Sequence, residues 1–144
     1  MSYFNVRVYG LLINNKNEVL ISDEFEYNQY FSKFPGGGLE LGEGLIEALK
    51  REFVEECSAE IEVVEHFYTT DFYEKSSFND SQVISIYYII KEVKPLDLKI
   101  KTKVFDFDEG FCQSFRWVKI DNITVDDVTF NTDKKVVEML KKKF

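Results

Sequence analysis

Between Gly36 and Ala59 the chain reads GGGLELGEGLIEALKREFVEECSA, a segment holding five of its seven glycines and six glutamates. Within it, Leu45, Ile46, Leu49, Phe53 and Cys57 recur at helical spacing. On a wheel advancing about 100° per residue they cover an arc of roughly 120°. The segment therefore predicts an amphipathic helix over 45–57 that must lay one stripe on a core. Strand-like segments on both sides of it leave a sheet as the surface that receives the stripe.

The other residues of the helix carry the chemistry. Glu52, Glu55 and Glu56 are related by i, i+3 and i+4 steps, and Glu56 falls between Leu45 and Leu49 at the border of the apolar face. Like charges at this spacing cost a few tenths of a kcal/mol even in water, and partial burial adds to that. Helix stability does not account for them. Three hard carboxylate donors on one patch suit Mg²⁺ or Mn²⁺, which would remove the repulsion. Gly36, Gly37 and Gly38 read as a glycine-rich turn ahead of the helix, able to approach a ligand closely and to offer carbonyls to a metal or amides to a phosphate. Against this stands the plainer reading of a solvated acidic face beside a turn.

The totals narrow the rest. A chain of 144 residues fits one domain, 1–144, able to remove roughly 70% of its unfolded surface from water. Its formal charge of −8 argues against a nucleic-acid duplex as partner, since phosphate backbones require a field of Lys and Arg. Only Arg7, Arg51 and Arg116 are arginines, so an anionic ligand needs local help; Lys141, Lys142 and Lys143 read as a dipole-compensating helix end. Cys57 and Cys112 show no metal or disulfide spacing, pointing to a reducing compartment. No signal-peptide pattern and no run of ~20 apolar residues is present, and the chain is read as cytoplasmic, soluble and without a membrane partner.

Along the chain, Phe4 to Ile13 and Glu18 to Ile21 read as a β-hairpin closed by Asn14 to Asn17, and Ser22 to Lys33 as a loop. Glu62 to Tyr73, Val83 to Val93, Leu96 to Val104 and Ser114 to Ile120 read as strands, and Phe105 to Gly110 as a surface loop. A closing helix is expected over Asp133 to Lys143, capped by Thr132. The fold class expected is α/β of the α+β kind, a mixed β-sheet sandwiched between helices.

Counted from Gly37, the segment runs through five residues to Glu43, seven more to Arg51-Glu52-Phe53, then Glu55-Glu56 and, after one residue, Ser58-Ala59. This resembles the Nudix box, with every charged position matched and Ser58 in place of the final glycine. That glycine ends the helix in a left-handed conformation, so a serine there costs on the order of 1–3 kcal/mol if the geometry is kept.

The resemblance implies a Nudix-like α/β/α sandwich that hydrolyses the diphosphate linkage of a nucleoside diphosphate derivative with divalent ions. By position it implies Glu52, Glu55 and Glu56 as metal ligands with the Gly36 carbonyl as a further one. Arg51 would orient the glutamates through a salt bridge, and Glu43 would support the loop or accept a proton. A homodimer is a frequent arrangement among similar proteins. Many relatives carry another glutamate on a late loop; here Gln113 and Ser114 stand nearest, leaving Asp106, Asp108 or Glu109, or simply a solvated acidic loop.

For substrate stacking, Tyr27, Tyr30, Phe31, Phe34, Tyr68, Phe72, Tyr73 and Phe78 are candidates, with core packing ahead for any single ring. His66 reads as structural. Two further readings stand beside the hydrolase, a non-catalytic regulator that binds a nucleotide ligand and a partner-binding domain with solvated glutamates.

Overall fold

In a computed structural model describing residues 2–144, the chain divides into two compact units, the segment ending at Leu12 with Pro35–Asp97, and Ile13–Phe34 with Leu98–Phe144. The first unit is a four-stranded sheet with one helix. Its strands are β1 (Tyr3–Leu12), β4 (Gly36–Gly38), β5 (Ile61–Thr69) and β6 (Ser81–Glu92), in the order β4-β1-β6-β5. The β1–β6 pair is parallel and the other two are antiparallel, so the sheet is mixed. Flanked by strands on both sides, β1 is buried without alternation from Val8 to Leu12.

Helix α1 (Leu45–Cys57) packs on β1, β4 and β5. At Gly10 the helix comes so near that an added Cβ would stand 2.7 Å from the Phe53 ring. Ala48, Leu49, Phe53 and Cys57 form the buried stripe of α1, whereas Ile46, expected in it, is exposed. The small Ala48 takes the place on the flank of the stripe that lies against the sheet.

The second unit holds β2 (Glu18–Glu26), β3 (Gln29–Lys33) and β7 (Gln113–Lys119) in an antiparallel sheet of order β3-β2-β7, with α2 (Asn131–Lys143) and a 3₁₀ turn at Val125–Asp127. At its centre Arg116 donates from Nε to the fully buried Asp23 at 2.8 Å, and Ser32 Oγ donates to the same carboxylate at 2.6 Å. Both oxygens of a buried charge are thereby satisfied.

Several local expectations change. The turn at Asn14–Asn17 forms, with Asn17 at φ 59 and an Ile13–Val19 bridge across it, but β1 and β2 join different sheets. Turn residues specify the reversal alone; ten paired positions with β6 claim β1. Ser22 to Lys33 is a β-hairpin rather than a loop, closed by Tyr27 and Asn28 at φ 51 and 60. Two left-handed residues are what a tight type I′ hairpin turn requires, and Asn28 was the visible signal.

Gly36–Gly38 is likewise a strand, paired with Arg7–Tyr9, and not a free turn. Leu96 to Val104 forms no strand beyond a single bridge, Ile100 to Phe115. Helix α2 begins at Asn131 after Phe130, with Thr132 buried in its first turn instead of capping it.

Candidate active site

The site is organised by one guanidinium. Arg51, on α1, donates from Nε to Glu43 Oε2 at 3.0 Å and from Nη2 to Glu43 Oε1 at 2.7 Å. Its Nη2 also donates to the Gly38 carbonyl at 3.0 Å, tying the helix to strand β4. Its Nη1 donates to Glu52 Oε1 at 3.0 Å and to Glu55 Oε2 at 3.3 Å, with Glu40 3.7 Å away. The Glu43 hydrogen bonds drive the Arg51 pKa further up, although partial burial opposes this; reciprocally, Arg51 and then the Glu40 backbone hold Glu43 below the ordinary carboxylate range. Glu43 Oε1 accepts the Glu40 amide at 3.0 Å, so the segment before the helix is fastened at both ends.

Gly37 explains how Glu52 is placed. A Cβ there would collide with the Glu52 carboxylate, standing 2.7 Å from its Oε2, so only glycine lets the acid lie against the strand. Gly36 adopts φ 152, and any side chain on it would strike the backbone of Tyr9 and Val8. Glu47 reaches back to the Gly44 amide at 3.1 Å, satisfying one open donor at the start of α1. At the other end Ser58 takes the left-handed conformation, φ 49 and ψ 35, while its amide donates to Phe53 and Val54 and that of Ala59 to Phe53. The serine therefore adopts the conformation that glycine favours at this position.

The glutamates are brought together by Arg51 more than by each other. Glu52 is largely buried and Glu55 mostly exposed, and both lie on Arg51 Nη1. Glu56 is half-buried with its Oε2 out of solvent. Among the described residues no three carboxylate, His or Cys side chains gather closely enough to form a cation cage. The donor chemistry nevertheless suits a hard divalent ion: carboxylate oxygens on one helix, beside a glycine strand with no side chain in the way.

The late-loop acids lie in the second unit. Asp108 is 2.7 Å from Lys101 Nζ and 3.1 Å from Lys99 Nζ, and Asp106 is 4.0 Å from Lys101. Hydrogen bonds from Lys101 and Lys99 hold Asp108 below the carboxylate range, and Asp108 in turn raises Lys101. Of the aromatic candidates, Phe31, Phe34 and Tyr68 are buried, whereas Tyr27, Tyr30, Phe72 and Tyr73 are exposed. His66 pairs with Thr69 at 2.8 Å.

A family model, the NUDIX domain, matches residues 4–140. The chain belongs to the Nudix family. This Nudix chain is a hydrolase of the family type, and Nudix hydrolases generally use divalent metals. Its fold is similar to that of the E. coli ORF135 protein, with a TM-score of 0.71 at 17% identity over 94% of this chain and 86% of the other. A MutT protein from Methanosarcina mazei Go1 gives 0.71 at 21%, over 97% and 94%. A structure from a study of MutT from Aliivibrio salmonicida and Vibrio cholerae gives 0.61 at 26%, over 98% and 99%. A search of curated proteins finds no match to this Nudix sequence. Among the described residues no helix is long and apolar enough to cross a membrane.

Proposed function

We propose that the chain is a Mg²⁺- or Mn²⁺-dependent pyrophosphohydrolase that cleaves the diphosphate linkage of a small nucleoside diphosphate derivative, a nucleotide, ADP-ribose or a nucleotide sugar. The observation that carries this reading is the Arg51 hub, because a single guanidinium fixes Glu43, Glu52, Glu55 and the Gly38 carbonyl together. An array of acids held by one arginine is pre-positioned, and one positive charge against the carboxylates of Glu43, Glu52 and Glu55 leaves negative charge for a cation to offset.

In this reading Glu52, Glu55 and Glu56 and the Gly36 carbonyl hold the divalent ion. When bound, the ion supplies Lewis acidity toward water and phosphate and offsets the protein's charge of −8 against an anionic substrate. A glutamate of the box accepts the proton of the attacking water. As the new P–O bond forms, the bridging P–O bond breaks and its electron pair leaves on the departing phosphate. Arg51 keeps the acids oriented, and Glu43 keeps Arg51 in place. Gly36, Gly37 and Gly38 form the strand against which the substrate phosphates rest.

The reading takes residues 1–144 as one domain, supported by a family match that runs through both compact units. It includes a cytoplasmic setting, a small-molecule partner, no nucleic-acid duplex or membrane, and a homodimer as the assembly. Its test is a panel of nucleoside triphosphates, ADP-ribose, nucleotide sugars and dinucleoside polyphosphates assayed by ³¹P NMR with Mg²⁺ or Mn²⁺, and again with EDTA. Metal-dependent cleavage of at least one member is expected. No product from any member defeats the enzymatic reading for those substrates, and binding without cleavage favours the non-catalytic regulator. Sedimentation velocity tests the dimer.

A further inference from the structure

The face of the four-stranded sheet turned away from α1 carries a polar group that the proposed reaction leaves unused. Side chains alternate along β1, so Gly10 meets Phe53 on the helix side while Arg7 and Tyr9 project from the other. The register sets Arg7 beside Ser85 of β6 and Gly38 of β4, and Tyr9 beside Tyr87. Arg7 Nε donates to the Tyr9 hydroxyl at 2.6 Å, and its guanidinium carbon lies 5.7 Å from the Tyr9 ring centre. The Tyr9 and Tyr87 rings lie 5.3 Å apart, and Tyr87 and Tyr68 6.3 Å, which gives the patch an aromatic floor.

Ser85 is 1% exposed, and its Oγ has no hydrogen-bond partner among the described residues. The backbone of Ser85 is engaged, since its amide donates to Thr70 Oγ1 at 3.0 Å and its carbonyl accepts the Thr70 amide at 2.9 Å. The hydroxyl alone is left over, next to an arginine, where a buried hydroxyl ordinarily has a partner.

We propose that Arg7 and Ser85 form a substrate-recognition point for a phosphate oxygen of the nucleoside diphosphate, with the Tyr9 and Tyr87 rings beside it. A planar guanidinium fork matches phosphate geometry, and a chain of charge −8 needs such a local cation to hold an anion. Access is from the sheet edge. Strand β4 is the edge strand, and Gly38 places no side chain between that edge and Arg7, whose Nη1 is 3.8 Å from where a Cβ would stand. Its neighbour Gly37 faces Glu52 on the opposite side, so a diphosphate straddling this edge reaches both the box and Arg7. Arg7 and Ser85 contact the ligand directly, and their assignment rests on the nucleoside diphosphate ligand of the proposed function.

The test separates the two ideas by omitting metal. ADP, GDP, UDP and CDP are titrated calorimetrically into the full chain with EDTA present. At least one is expected to bind; Arg7→Ala should weaken it by about tenfold or more and Arg7→Lys by less, because a lysine keeps the charge but not the fork. Ser85→Ala should weaken binding by roughly threefold or more with no loss of Tm, since it deletes a hydroxyl that supports nothing else in the fold. The proposal is overturned if none of the four binds the wild type without metal, or if Arg7→Ala or Ser85→Ala binds as the wild type does. Metal-free binding that depends on Arg7, with no turnover in the metal-dependent assay, would sink the hydrolase reading and leave this one standing.

Discussion

Arg51 and Glu43 are joined by a two-point fork, Nε to Oε2 at 3.0 Å and Nη2 to Oε1 at 2.7 Å, across eight residues of sequence. The fork clamps the segment between β4 and α1 to the helix. It also depresses the Glu43 pKa below its ordinary 4.5, mainly through the Arg51 hydrogen bonds. A carboxyl with a lowered folded-state pKa contributes stability above the unfolded value, and that contribution is lost as pH falls through the folded one. Tm measured from pH 6 down to pH 3 should therefore fall more steeply for the wild type than for Glu43→Gln below about pH 4.5. Parallel curves would remove the fork from the acid response.

Glu55→Gln should lower turnover by at least ~100-fold, as loss of a ligand to a catalytic metal or of its support commonly does. Glu55 is mostly exposed and its pair with Arg51 spans one helical turn, so Tm should change little. The check is kcat with Mg²⁺ on the substrate found in the panel, read beside a metal titration. Retained activity at unchanged metal affinity would displace Glu55 from the assignment.

Gly37→Ala tests the placement of Glu52. The new methyl group must push the carboxylate away, because it would stand 2.7 Å from Oε2. We expect a loss of about 1–3 kcal/mol in urea unfolding and metal affinity lower by about 10–100-fold. Gly38→Ala meets nothing closer than Arg7 Nη1 at 3.8 Å and should cost less stability.

Ser58→Gly should stabilise the protein. Ser58 sits at φ 49, where a side chain is strained and glycine is not. The expected gain is about 1 kcal/mol, or on the order of 3 °C in Tm. Calorimetry that finds no gain would mean that the serine hydroxyl offsets the backbone strain.

Asp23→Ala should be among the most damaging changes in the second unit. It takes from Arg116, which is 8% exposed, the carboxylate it meets at 2.8 Å, leaving the longer Asp127 pair at 3.6 Å, and it removes the acceptor of the Ser32 hydroxyl. Removing one partner of a buried pair costs about 3–5 kcal/mol, measurable by denaturant unfolding.

Much of the site could be read directly from the sequence. Periodicity alone locates α1 with its stop at Cys57, and the spacing of Glu43, Arg51, Glu52, Glu55 and Glu56 points to the family without any coordinates. Both readings depend on neighbours within a few turns of one helix, where i, i+3 and i+4 geometry is fixed by the backbone. The β2–β3 hairpin escaped because its turn is Tyr27-Asn28 and its strands carry buried Ser22, Asp23, Ser32 and Lys33, which resemble loop residues. These polar side chains are tolerated inside because distant partners such as Arg116 satisfy them, and no local pattern announces a partner 93 residues away.

By itself the sequence determined the glutamate helix, the acids it carries and the glycines that precede it, since each is a matter of short-range spacing and side-chain chemistry. Only the tertiary structure decided that those glycines form a strand, that Gly37 makes room for Glu52, and that Arg7 and Ser85 meet on the face away from α1. Strand pairing and register arise from hydrogen bonds between segments remote in the chain, and a strand's own residues constrain its partner only weakly.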